Sequence, residues 1–277
     1  MERGHAAEGA SARQYSKPPQ LSTPACGEIT GPKKTEQTDL IFENLQRENK
    51  AADNDAETVR ISIDTKATVN IGPYSRGGCS RGLCAVAAAD HDMMVKKKLV
   101  PGGILEMKSG RPFLFFTESC KTSDFMVDGI ELWWSESRER LAGIKRLVVN
   151  MDNGPECSGH RSQFLQRMVD FADREKLEIR LIYYPPYHSK YNGIERYWGG
   201  LERSWNGYLL DSVEAVLQRA SHFCWKTIQT VSHLLDGIYQ KGVTLCRDKK
   251  RDLETRLLRS IALPWWDISI QSYVVVQ

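Results

Sequence analysis

The sequence predicts an α/β fold in which a mixed sheet is flanked by helices, and three observations carry that prediction. A two-residue alternation opens at Val59. Ile61, Ile63, Thr65, Ala67, Val69 and Ile71 alternate with Ser62, Asp64, Lys66, Thr68 and Asn70, the period of a strand. Further strand candidates at 83–89 and 112–117 follow with only Pro101-Gly102-Gly103 marked between them, so three strands can meander. Beyond residue 120 the pattern changes to helix, strand, helix, strand, helix.

Each element has its own signals. Residues 1–38 are rich in Gly, Ala, Ser, Pro and Lys without a sustained period and read as disordered. Residues 40–45 form a short helix or docking segment, and the small, acidic stretch 51–57 reads as a linker. The strand at 59–71 stops at Gly72-Pro73, and Ser75-Arg76-Gly77-Gly78 makes a loop. A helix fits 123–141, with Phe125, Ile130, Leu132, Trp133 and Leu141 apolar and Thr122 or Ser123 as its cap. Residues 146–151 are a short apolar strand. A helix at 161–176 turns Phe164, Leu165, Met168, Val169 and Phe171 inward, and a strand at 177–183 is stopped by Pro185-Pro186. Helices follow at 193–208 and 213–235. The basic tail from Lys241 has a helical piece at 252–261 before Pro264-Trp265-Trp266. The domain division is therefore 1–55 as a disordered or linker segment, 56–237 as the folded domain, and 238–277 as a basic, partly helical extension.

A chain of 277 residues with 41% hydrophobic content has room for one large core. A net charge of +3 is compatible with a polyanionic partner without demanding one. The longest apolar run, 83–89, is far short of a membrane span, and no signal peptide pattern precedes it. Seven scattered cysteines suggest a reducing cytosol, not a disulfide framework. Cys79-x4-Cys84 and Cys157-x2-His160 lack convincing partners, so structural zinc is not expected.

Three acids stand where acids do metal chemistry, and each also has a structural explanation. By alternation alone Asp64 is a solvent-facing strand residue, although Asp is disfavoured in strands and Lys66 shares its face. Asp152 ends an apolar strand before Asn153-Gly154, which fits turn chemistry and equally fits a strand end opening onto a ligand crevice. Glu195 completes Asn192-Gly193-Ile194-Glu195, a pattern that resembles a capping box. Acids gathered from two strands and a helix can hold two divalent cations about 3.5–4 Å apart, an arrangement that moves phosphodiester bonds. The all-oxygen set suits Mg²⁺ or Mn²⁺ over zinc, with Glu156 and Glu202 as further possible ligands. The stiff aromatic approach from Tyr183 to Tyr191 carries His188 and Lys190, equipment for gripping a phosphate or stacking a base.

Four motifs together resemble insertion-sequence DDE transposases of the ISAzo type, over roughly residues 36 to 270. They are Asp64-Thr65-Lys66; Ile71-Gly72 with Arg76-Gly77-Gly78; Asp152-Asn153-Gly154-Pro155-Glu156; and Tyr184-Pro185-Pro186-Tyr187-His188-Ser189-Lys190-Tyr191-Asn192-x-x-Glu195. The resemblance implies a ribonuclease H-like mixed sheet, catalytic and metal-binding roles for Asp64, Asp152 and Glu195, and Mg²⁺ with Mn²⁺ as substitute. DNA is the expected partner, both element ends and target, with Lys66, Arg76, His188 and Lys190 as candidate contacts, although His188 and Lys190 also fit as ordinary loop residues. The resemblance further implies a homo-oligomer on DNA, without membrane association, in a bacterial cytoplasm at the nucleoid. Such transposases carry an N-terminal helix-turn-helix. Residues before Lys34 show no two-helix periodicity, so the expectation is a truncated or frame-disrupted copy. The expected function is metal-dependent DNA cleavage and strand transfer. The alternatives are a hydrolytic nuclease that does not join strands and a non-catalytic DNA-binding remnant.

Overall fold

The strand opened by the alternation at Val59 is the hinge of the architecture. In the computed structural model of this chain, which describes residues 36–79, 87–89 and 95–273, that strand divides in two. β1 spans Thr58–Thr65 and β2 spans Val69–Ile71, and both pair antiparallel with β3 (Lys97–Glu106). Thr65 lies opposite Gly102, and Val69 lies opposite Leu99. Residues 66, 67 and 68 thus face only 100 and 101, which is a β-bulge just past Asp64. Lys66 N–H donates to the Pro101 carbonyl at 3.0 Å.

β3 is the main element that sequence reasoning missed. Pro101-Gly102-Gly103 read as a breaker, yet all three lie inside this strand. Proline is tolerated in a sheet at a bulge, and the glycines serve close packing. A Cβ on Gly102 would stand 2.3 Å from the Phe115 ring, and one on Gly103 would stand 2.8 Å from Trp198 and 2.9 Å from Ile194. The expected strand at 83–89 lies largely outside the described residues. Within it, Ala89 makes an isolated bridge to Tyr74.

The remaining strands are β4 (Pro112–Thr117), β5 (Arg146–Asp152), β6 (Glu178–Tyr184), β7 (Cys224–Trp225), β8 (Ile228–Gln229), β9 (Val231–Leu234), β10 (Leu257–Arg259) and β11 (Asp267–Ile270). The large sheet runs β10-β11-β6-β5-β1-β3-β4-β9, with β2 on β3, and β7-β8 form a separate hairpin. β1, β5 and β6 are parallel neighbours, while β1-β3-β4 is an antiparallel meander. The helices are α1 (Glu36–Asn54), α2 (Ser123–Ser137), α3 (Ser162–Glu175), α4 (Gly193–Ser204), α5 (Val213–Ser221) and α6 (Arg247–Thr255). The expectation of a mixed sheet flanked by helices holds.

Both faces of the sheet are covered. On one, Ile61, Ile63, Leu147, Val149 and Met151 pack against Phe125, Ile130 and Trp133 of α2 and Phe164, Met168 and Phe171 of α3. On the other, α4 brings Ile194, Trp198 and Leu201 onto Leu99, Leu105 and Leu114, and α1 brings Leu45 and Ala52 onto Val148, Ile182 and Tyr184. The side of β1 expected to face solvent is therefore the α4 side.

Four expectations need correction. Residues 51–57 are not a linker: α1 continues to Asn54, Ala52 is buried, and Asp53 accepts two bonds from Arg60 at 2.9 and 2.6 Å. The helix expected at 213–235 ends at Ser221, and the chain then forms the β7-β8 hairpin and β9. Phe223, Trp225, Thr227, Ile228, Thr230 and Val231 suit strands, and β9 finds a partner in the open edge of β4. The helix expected at 252–261 is displaced to Arg247–Thr255 and gives way to β10. Residues 238–277 extend the sheet through β10 and β11, and the described residues belong to one compact unit.

Candidate functional site

β1, β4, β5, β6 and β9 run in the same direction, so their carboxyl ends share one edge of the sheet. Ligands bind at such edges in open α/β sheets. Asp64 stands near the end of β1 and Asp152 ends β5. Glu195 sits in the first turn of α4, which follows β6 through the loop 185–192. The structure thus draws the three acids from two adjacent strands and one helix to one place.

Two polar residues tie these elements together. The Ser62 hydroxyl, one side-chain step before Asp64 on the same face, accepts from the Ile194 backbone N–H at 3.0 Å. It also donates to the Asn192 side-chain oxygen, while the Asn192 amide donates to the Ile63 carbonyl at 3.4 Å. Asn192 is the N-cap residue of α4 but makes no capping bond with its side chain. The capping-box explanation therefore does not apply. A residue on β1 satisfies an orphan N–H at the start of α4 in its place. Trp198 and Ile194 against Gly103 close the other half of the joint.

Burial is the main cause that raises all three carboxyls. Asp64 is pushed up to about 7 by burial and then by repulsion from Asp152 and Glu195, against the pull of the Thr65 N–H and Lys121. The Thr65 N–H donates to Asp64 Oδ1 at 2.7 Å. Asp152 is raised by burial, with the Asn192 side chain and Lys121 opposing. Glu195 is raised by burial and by Asp152 and Glu202, with Lys66 opposing. Asp152 Oδ1 is buried without a hydrogen-bond partner, and such an orphan acceptor calls for an explanation.

Among the described residues, no three His, Cys, Asp or Glu side chains stand arranged to hold a metal ion as they are. The donor set nonetheless fits a hard divalent cation. It consists of carboxylate oxygens, one of them unpartnered, whose charges repel one another unless a cation intervenes. Cys157 offers no thiolate: burial pushes its thiol up to about 12, and its Sγ lies 3.3 Å from the Asp152 carbonyl. His160 stacks on Trp265 with ring centroids 3.8 Å apart.

The acids suggested as further ligands are engaged with lysines. Glu202 pairs with Lys66 at 3.2 Å, and Glu156 pairs with Lys121 at 3.4 Å. Of the expected DNA-contacting residues, Lys66 acts on Glu195. Arg76 donates to the Asn70 carbonyl at 2.9 Å and lies over Trp205. His188 packs edge-on against Phe42 of α1 and contacts the Pro186 carbonyl at 2.7 Å. Lys190 lies over the Tyr191 ring, which also meets Phe42. α1 therefore braces the aromatic loop leading to Glu195.

Sequence reasoning missed Lys121, Ser62 and Phe42, and Asn192, read as a helix cap, instead bonds to Ser62 and the Ile63 carbonyl. A signal existed for Lys121, which comes four residues after a strand end that must open onto the same edge. The others act through tertiary contacts and carry no local mark.

A family model described as the Rhodopirellula transposase DDE domain matches residues 25–272. No curated protein matches the chain. Among solved structures it is similar to the Mos1 transposase paired-end complex with left transposon end, at 11% identity, over 72% of this chain and 58% of that one, with a TM-score of 0.47. A Mos1 mariner paired-end complex with Mn gives 12% identity, the same coverages of 72% and 58%, and a TM-score of 0.45. The simian T-cell lymphotropic virus intasome in complex with PP2A regulatory subunit B56 gamma gives 18% identity over 63% of this chain and 65% of that one, with a TM-score of 0.35. The chain thus spans less than two thirds of each of these.

Proposed function

The chain belongs to the Rhodopirellula transposase DDE domain family, and from that premise we propose that it cleaves DNA and joins strands at an insertion sequence. Asp64, Asp152 and Glu195 are the residues that hold Mg²⁺, for which Mn²⁺ substitutes. Bound there, divalent cations supply an activated nucleophile and stabilise the leaving 3′-oxygen. The protein's own residues do the rest. Ser62 and Asn192 keep the start of α4 against β1, so that Glu195 faces the two aspartates. Lys66, anchored by Glu202, steadies a backbone phosphate beside Glu195.

The observation that carries this reading is the convergence of three raised carboxyls on one sheet edge, with Asp152 Oδ1 unpartnered. Local structural roles do not account for it: the polar face of β1 is covered by α4, and the capping box is not formed. Purified chain is incubated with supercoiled plasmid and Mn²⁺. Wild type is expected to nick and Asp152→Asn to be inert. Equal inertness of the two would overturn the enzymatic reading. Labelled element ends that are cut but never joined would reduce it to a nuclease.

A further inference from the structure

The acids have two cationic neighbours. Lys66 approaches from the α4 side, and its charge acts on Glu195. Lys121 lies in the turn between β4 and α2, the helix that covers the face of the sheet opposite α4; it pairs with Glu156, four residues past Asp152, at 3.4 Å, and its charge acts on both Asp64 and Asp152. That turn is built to hold a position. Thr122 caps α2 by accepting from the Phe125 N–H at 3.2 Å. The next residue, Ser123, donates its hydroxyl to the Glu156 carbonyl at 2.6 Å and accepts from Arg161 Nε at 3.3 Å. The β4–α2 turn is thereby fastened to the β5–α3 turn, which carries Asp152 at its start.

The Lys121 ammonium is loosely held within this firm frame. Its partner Glu156 is 3.4 Å away, beyond the roughly 2.7–2.9 Å of a good charge-assisted bond. The lysine side chain is 41% exposed against 22% for the glutamate, so the ammonium is open to exchange on its solvent side. An ammonium has three donors, and an anion approaching the acids from solvent can take them. The anion chemistry that fits is a phosphodiester oxygen. Resting on the proposed function, we infer that Lys121 binds a non-bridging backbone oxygen of the DNA strand lying across Asp64 and Asp152, and that Glu156 holds the ammonium until that phosphate arrives. Lys66 and Lys121 then both grip the reacting strand.

The test uses the whole chain and a fluorescein-labelled DNA duplex, titrated by anisotropy over a series of NaCl concentrations with Mg²⁺ present. Lys121→Gln is expected to flatten the slope of log Kd against log[NaCl] by about one unit, the signature of one lost phosphate contact. Lys121→Arg restores the slope. Lys108→Gln, whose lysine follows the far end of β3 beside Asp53 on the opposite edge of the sheet, leaves it unchanged. Glu156→Gln tightens binding in the wild-type background and loses most of that gain in the Lys121→Gln background. Equal slopes for wild type and Lys121→Gln, or the same Glu156→Gln gain in both backgrounds, would overturn the assignment. Plasmid nicking separates the two readings. Nicking that depends on Asp152 while the slope ignores Lys121 sinks only the lysine. A slope that depends on Lys121, in a chain where wild type and Asp152→Asn are equally inert, sinks only the enzyme.

Discussion

β1 and β5 each present two faces, and the two differ in kind. Toward α2 and α3 they show Ile61, Ile63, Leu147, Val149 and Met151, all fully buried in one continuous apolar cluster. Toward α4 and α1 they show Ser62, Asp64, Asn150 and Asp152, with Ser62 and Asn150 also fully buried. The first face carries stability through apolar burial. The second buries apolar surface too, with Val148 under α1, but toward the strand ends its contents are polar groups held by hydrogen bonds and half-buried carboxyls raised by burial. Over the last turns of alternation in β1 and β5, at 61–64 and 149–152, folding and chemistry are separated residue by residue.

That contrast can be broken in both directions. Asp152→Asn should lower Mn²⁺-dependent nicking by on the order of a thousandfold while leaving the urea midpoint at or above that of wild type, because it removes a carboxylate whose charged form burial disfavours. Ile63→Ala, one residue before Asp64 on the other face, should cost about 2–5 kcal/mol in urea unfolding. A fall in stability from the first or in specific activity alone from the second would erase the distinction.

Gly103→Ala tests the joint between the faces. Its Cβ would meet Trp198 and Ile194 below 3.0 Å, and the cost should be about 1–3 kcal/mol. The displaced α4 should also lower nicking by more than the stability loss explains, read as specific activity of folded protein well below its melting temperature.

Proton linkage sharpens the same contrast. Asp64 is raised from 3.8 to about 7 in the folded chain. The native state therefore binds more protons than the unfolded state between those values, and stability without divalent cations should fall as pH rises through that window. Mn²⁺ affinity should rise with pH through about 7 as the carboxyl ionises. Asp64→Asn should flatten the stability slope, measured by urea unfolding at stepped pH. The smallest effect belongs to Glu202→Gln. Its half-exposed pair with Lys66 contributes no more than about 1 kcal/mol, so the unfolding midpoint should hardly move.

Much of the fold was legible where local signals agreed with the final structure. The strands at Pro112–Thr117 and Arg146–Asp152, and the helices at Ser123–Ser137 and Ser162–Glu175, follow from periodicity and, for the first helix, the Thr122 cap. Failures came where a tertiary partner reversed a local preference. Pro101-Gly102-Gly103 punctuates a chain in isolation, but here it supplies a bulge partner and two sites of close ring contact. The β7-β8 hairpin turns on Lys226 and Thr227, both at positive φ (47° and 72°), without the glycine or asparagine that marks such turns. Packing of Phe223 and Trp225 against Tyr197 holds it in place.

By itself the sequence determined the class of fold, through period and strand ends, and carried the motifs by which the chain resembles its family, because both are local properties; the three acids entered as candidates. Tertiary structure alone decided that the polar face of β1 is buried under α4, that Ser62 in place of Asn192 serves the start of that helix, and that the charge of Lys121 reaches Asp64 and Asp152. The physical reason is that burial, charge repulsion and a shared hydrogen bond depend on distance in space, and residues 62 and 194 have none of these relations until the sheet closes against the helix.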